Sequence, residues 1–353
     1  MEQRAGRVAR TVVDARTADW MVDLVRNTTT SPCPGSPPPR QRLRAGYRRD
    51  AFVRSSPEPG VTAPACGELG RVKDSPSLSM LWESTDPHDA LKKRFGFQSA
   101  AIAATWVADT LSATWGISVD QCDRLVISAW NAMAWITADE RRLIAKWSAI
   151  PSLFGRLKDL SSVTEWLHGH DIPVAVPIAT LDGRRLVEVA NEARGRLRSK
   201  LPLPGNRFLV GVVPVLDGNL LDIGDHDQVA EAGRVLAAVH DALAAYTGPV
   251  DGRRRSGDDQ LVHNDFRSAN LLHDGARISA VLDLEEITYD KRVADLAKAA
   301  VMLGTQYRDW APTPADVRTA FIDSYSTCFP LTLDDHRELD AKIFAVLAAN
   351  GWE

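Results

Sequence analysis

The stretch 263-HNDFRSAN-270 places Asp265 and Asn270 five residues apart behind His263, and Asp283 and Glu285 follow after an apolar segment. That segment, 271-LLHDGARISAVLD-283, reads as a β-hairpin. Its Asp274-Gly275 pair is a turn signal, because both residue types tolerate positive φ. Closing the hairpin brings Asn270 and Asp283 to the same open end, where paired strands lie about 4.8 Å apart. An amide oxygen and a carboxylate then share one small volume. Such donors suit a hard cation like Mg2+, which completes its shell with water and phosphate oxygens. Asp265, on the loop entering the hairpin, can face the same volume. Singly, Asp265 and Asn270 also fit an Asx-turn pair, and Asp283 a strand-end cap.

The elements that must position these residues divide at about residue 216. Residues 99–115 carry apolar groups at helical spacing and stop at Gly116. The runs 124–130, 132–138 and 143–149 form a three-strand antiparallel meander, with Asn131 at the first joint and the polar turn 139-DERR-142 at the second. A helix fits 156–169, and 172–190 reads as two strands about an Asp182-Gly183 hairpin turn. A further strand spans 207–216. Beyond it the pattern is helical: 226–246 with Asp225 as N-cap, then 291–303, 314–326 and 334–349. The sequence therefore predicts an α+β, bilobal fold, with an antiparallel-sheet N-lobe holding one inserted helix and a mainly helical C-lobe.

The string His263-x-Asp265-x4-Asn270, followed after a hairpin by Asp283-x-Glu285, resembles the aminoglycoside phosphotransferase family, protein-kinase-like phosphotransferases of small molecules. The resemblance covers roughly residues 115–330. It implies that Asp265 orients or deprotonates an acceptor hydroxyl, while Asn270 and Asp283 hold Mg2+ on the phosphates of ATP. It likens Lys146, the one charge in its strand, to the lysine that contacts the α- and β-phosphates; a solvent-facing strand lysine is the other reading. Glu165 or Asp159 of the inserted helix would pair with that lysine, and spacing does not decide between them. The strand 207–216, with Val213 and Val215, resembles the lobe-connecting segment whose backbone bonds adenine beside an apolar purine slot. His240 and His263 read as packed, bracing residues, and Asp295 as an acid that anchors the catalytic loop. Two departures stand out. Asn264 occupies a position that is often Gly in the family, a change Asn tolerates because it reaches positive φ. The turn expected over the phosphates, 128-SAWNAMA-134, contains no glycine.

Composition narrows the function further. No run approaches the ~18 apolar residues of a spanning helix, so no membrane segment is expected. The four cysteines are scattered, which points to free thiols in a reducing cytoplasm. Residues 1–79 hold 13 Arg/Lys against 8 Asp/Glu and include the Pro- and Arg-rich 31-SPCPGSPPPRQRLRAGYRRD-50. This segment reads as a disordered extension or a start assigned too early, with Met80 as the natural beginning. The N-lobe then covers 80–216 and the C-lobe 217–353. The negative balance of the remainder argues against nucleic acid as a partner. From 283 to 353, 13 Asp/Glu face 7 Lys/Arg, which favours a cationic acceptor such as an aminoglycoside or basic peptide antibiotic, with antibiotic resistance as one outcome. A kinase of choline, homoserine or a sugar, or a non-catalytic kinase-like nucleotide-binding module, are the alternatives. Oligomeric state is not legible.

Overall fold

The computed structural model describes residues 75–190, 207–252, 254, 256–307 and 310–352. The expected leader falls almost wholly outside these residues. The first strand, β1 (Ser77–Met80), takes in the last three residues of that leader, 77–79.

The N-terminal half is a six-stranded sheet in the order β1-β2-β3-β4-β6-β5. The meander β2 (Gln121–Ile127), β3 (Asn131–Ala138) and β4 (Arg141–Ser148) is antiparallel as expected. β6 (Arg207–Pro214) pairs with β4, and β5 (Leu186–Ala190) closes one edge. β1 adds to the other edge in parallel with β2. Alternation sorts the side chains of β4: Trp147 is fully buried, while its neighbour Lys146 faces the opposite side. Trp147 meets Phe95 and Phe97 edge-on and Trp106 at 5.6 Å, the last from helix α1 (Ala100–Trp115). That helix starts on a Ser99 side-chain cap and, as its sequence predicts, ends at left-handed Gly116.

One expected hairpin is incomplete. Residues 172–180 form no strand, and only β5 of the pair is present. Pro173 and Pro177 offer no N–H to a ladder, so this stretch crosses the sheet end with Ile178 alone bonding Val212.

The C-terminal half packs helices around short strand pairs. Helix α3 (His226–Ala244) is capped by Asp225, whose carboxylate accepts from Asp227 N at 3.0 Å and Gln228 N at 3.3 Å. Helices α4 (Arg292–Met302), α5 (Ala315–Cys328) and α6 (Leu333–Ala349) follow, the last opened by a Thr332/Asp335 capping box. Gly233 lets α3 approach α5: any Cβ there would strike the Phe321 carbonyl oxygen. β7 (Asn219–Leu220), β9 (Leu271–His273) and β10 (Ile278–Val281) form one small sheet. β8 (Asp259–Val262) and β11 (Thr288–Lys291) pair antiparallel.

Each half has its own core, and the helix between β4 and β5 joins the unexpected one. Inserted helix α2 (Phe154–Gly169) buries Leu160, Val163 and Leu167 with Leu236, Leu243 and Phe266 of the C-terminal core. Its Trp166 indole also donates to the Ala242 carbonyl at 2.7 Å. No described helix is long and apolar enough to cross a membrane. Cys122 and Cys328 are free thiols, and Cys33 and Cys66 lie outside the described residues.

Candidate active site

The loop between β8 and β9 is held by a buried polar frame. Asn264 takes φ +64°, in the left-handed region that Asn tolerates. Its N–H donates to Asp295 Oδ1 at 2.9 Å, while Lys298 Nζ donates to its carbonyl and, at 3.0 Å, to its side-chain oxygen. The other Asp295 oxygen meets His240 Nε2 at 2.9 Å, and His240 Nδ1 meets the Tyr325 hydroxyl at 2.8 Å. Burial pushes the Asp295 carboxyl up, but the bonds from His240 and the Asn264 N–H, together with the two nearby imidazoles, hold the pKa below the ordinary range. His263 is fully buried, and burial holds its pKa down. A neutral ring suits both of its contacts: Nε2 faces Leu282 O at 3.2 Å and Nδ1 accepts from Asp265 N at 3.2 Å. Asp295, His240 and His263 thus brace the loop, as the sequence suggests.

On this frame Asp265 and Asn270 touch. Asn270 Nδ2 donates to Asp265 Oδ2 at 2.7 Å and to the Asp265 carbonyl at 2.8 Å. Both donors of that amide face one residue, which turns Oδ1 outward as an acceptor. The hairpin closes as its Asp274-Gly275 signal predicts, with Gly275 at φ +95°. Its open end is tied by Leu282 N to Asn270 O at 2.8 Å, one residue before Asp283. Asp283 sits at φ +55°, and no described residue donates a hydrogen bond to its carboxylate. The carboxylate is open to solvent yet crowded by protein. This crowding raises its pKa, Lys146 works against the rise, and Glu285 and Asp265 add to it.

Lys146 arrives from β4 and forms an ion pair with Glu285 Oε1. Burial works against its charge, but Glu285 and Asp283 outweigh that and raise its pKa. The expected partners are therefore both displaced. Glu165 pairs with Arg185 at 2.7 Å, and Asp159 lies toward Tyr246, where its charge helps raise the phenol's pKa after burial. The reason is the packing of α2, whose buried face is committed to the C-terminal core. Val213 lies in β6 opposite Ile144. The Val215 amide donates to Arg142 O at 3.0 Å, one bond beyond the end of the β4–β6 ladder.

Sequence reasoning missed four residues. Glu285 was noted only as part of the Asp-x-Glu pattern. Arg267 Nε donates to Asp265 Oδ1 at 3.0 Å, and its guanidinium lies 5.5 Å from the Trp310 ring centre. Tyr307 donates to the Ala269 carbonyl at 3.1 Å and so straps the same loop. A basic residue two positions after Asp265 was a signal that could have been read. Tyr307 and Trp310 gave none.

Among the described residues no group of three or more His, Cys, Asp or Glu side chains could hold a metal ion. The candidate cation donors remain the amide oxygen of Asn270 and the carboxylate of Asp283. Residues 216–340 match the family model of the phosphotransferase enzyme family, APH. The microcompartment-associated aminopropanol kinase superposes with TM-score 0.51 at 17% identity, over 69% of this chain and 86% of its own. Amicoumacin kinase hAmiN, in complex with AMP-PNP, Ca2+ and Ami, superposes with TM-score 0.50 at 16% identity, over 70% of this chain and 86% of its own. A comparison with curated proteins finds no match. The protein-kinase-like α+β fold expected from the sequence is present, and the resemblance to the phosphotransferase family holds through the half that carries the loop and hairpin.

Proposed function

From this phosphotransferase-family signature we propose an ATP- and Mg2+-dependent O-phosphotransferase that acts on a small hydroxylated molecule. Residues 80–216 would form its nucleotide lobe and 217–353 its metal and acceptor lobe, working in the cytoplasm where ATP is available. The reading is carried by one observation: Asn270 bonds Asp265 through its amide nitrogen while Leu282 pins the hairpin so that donor-free Asp283 follows.

The donor set fits magnesium. Asn270 Oδ1 and the Asp283 carboxylate would hold it, leaving the remaining octahedral positions to water and phosphate oxygens. Bound there, the ion would draw negative charge from the nucleotide phosphates. Lys146 would meet the α- and β-phosphates from the sheet. Asp265 would orient the acceptor hydroxyl and take its proton as the hydroxyl oxygen bonds the γ-phosphorus. The bond from that phosphorus to the β,γ-bridging oxygen breaks, and ADP leaves with the electron pair. Arg267 and Asn270 each occupy one oxygen of Asp265, which fixes the carboxylate plane. Each oxygen keeps a second lone pair for the acceptor.

The acid excess of 283–353 supports a cationic acceptor, although Asp295, Asp334 and Glu338 are spent on internal partners. Purified protein with ATP, Mg2+ and a panel of aminoglycosides, basic peptide antibiotics, amino alcohols and sugars should release ADP with at least one class. Silence across the panel overturns the reading. Asp265→Ala should abolish release while nucleotide binding persists.

A further inference from the structure

A strand lysine that meets phosphates carries a flexible stem and needs an acid to hold it in place. In protein kinases that acid comes from a helix. Here the two acids of the inserted helix face other partners, and the acid comes from the segment that carries Asp283. Glu285 Oε1 takes Lys146, and Glu285 Oε2 accepts from Asn131 Nδ2 at 3.0 Å. Its main-chain carbonyl accepts from Arg156 Nη2 at 2.9 Å, and the same nitrogen reaches Ile287 O at 2.6 Å. A turn residue, a strand residue and a residue of α2 thus converge on one glutamate, 154 positions from the first of them.

Asn131 completes the glycine-free turn that faces this segment. Ser128 N donates to Asn131 O at 2.8 Å, and Asn131 N donates back to Ser128 Oγ at 3.2 Å. The Trp130 carbonyl accepts from Ala149 N at 3.2 Å, which fixes the turn against β4. Glycine-rich turns let backbone approach phosphates closely but are loose. This turn is instead closed by side chains.

Resting on the nucleotide reading above, we propose that Glu285 is the positioning residue for Lys146. Through Asn131 it also pins the turn 128–131 over the nucleotide phosphates. One carboxylate therefore replaces both the helix acid and the glycine-rich cover. It ties the residue that meets the phosphates to the short 3-10 turn that follows Asp283.

The test combines exchange in the ligand-free protein with kinetics. In Glu285→Gln and in Asn131→Ala, amide exchange across 128–132 should speed by about tenfold, the equivalent of one charge-assisted hydrogen bond. Exchange in α3 and α5 should not change. With a nucleotide and an accepted alcohol, Glu285→Gln should lower kcat by roughly tenfold or more while KM for ATP moves less than about threefold. The Lys146→Ala/Glu285→Gln double variant should be slower than Lys146→Ala by less than the loss that Glu285→Gln causes alone, because the lysine part of that loss is already gone. Unchanged exchange at 128–132 in both single variants, or rate losses that simply multiply, would overturn the proposal. If no alcohol is phosphorylated at all, the phosphotransfer reading fails, and the exchange result still decides whether Glu285 pins the turn.

Discussion

Two aspartates twelve positions apart receive opposite treatment. Asp295, on α4, is buried with both oxygens bonded, one to the Asn264 amide and one to His240. Asp283, at the hairpin end, holds a left-handed backbone and accepts from no described donor. Their pKa values move apart accordingly: Asp295 lies below the ordinary carboxylate range and Asp283 above it. The first is an acid that the fold has satisfied. The second is one that the fold has left for something else to satisfy. A solvent-open carboxylate that no protein donor claims is available to a cation, and this contrast separates a bracing acid from a candidate metal donor more sharply than the sequence pattern does.

The largest effect should come from Asp283→Asn. Turnover should fall at least about a thousandfold, roughly 4 kcal/mol of transition-state stabilisation. The melting temperature of the ligand-free protein should rise, because Asn keeps the left-handed conformation and removes a disfavoured charge. Steady-state kinetics and a melting scan check both halves; a fall in both would reduce Asp283 to a structural cap. Asp295→Ala should act on the other side of the comparison. Breaking a buried bonded pair should cost about 3 kcal/mol in urea unfolding.

The pH dependence sharpens the contrast. The lowered pKa of Asp295 contributes stability above the ordinary carboxylate range, and this is lost as pH falls through the folded value. The raised pKa of Asp283 works oppositely, favouring the fold in acid and losing that contribution as pH rises through the folded value. Relative to wild type, Asp295→Asn should therefore be less stable and Asp283→Asn more stable near neutrality. The Asp283 difference should shrink as pH falls through its raised folded value toward about 4, and the Asp295 difference only as pH falls below about 4. Urea midpoints measured across that range test the sign of each. The smallest effect belongs to Tyr325→Phe, which removes one buried hydrogen bond to His240. It should cost about 1 kcal/mol of stability and leave KM for ATP unchanged.

What could be read in the sequence was local. The meander, the Asp225 cap, the Gly116 stop and the hairpin from 271 to 283 follow from residue types acting within a few positions. The Asp265–Asn270 contact was legible for the same reason, since a short loop can join residues five apart. The strand expected over 172–180 failed because two prolines break a ladder that the apolar alternation alone suggests. The partner of Lys146 was misread because the choice depended on which core would claim α2. Leu160, Val163 and Leu167 fit an apolar face without saying whose. Arg267, Tyr307 and Trp310 come together through the path of the chain after α4, and no spacing encodes that path.

The sequence by itself determined the carriers of the candidate chemistry and the short loop and hairpin that hold them, because hydrogen bonding between near neighbours needs no distant help. Only the tertiary structure decided which acid meets Lys146, which aspartate is satisfied and which is left open. Those outcomes depend on how two separate cores divide the buried faces between them, and that competition is settled across more than a hundred residues.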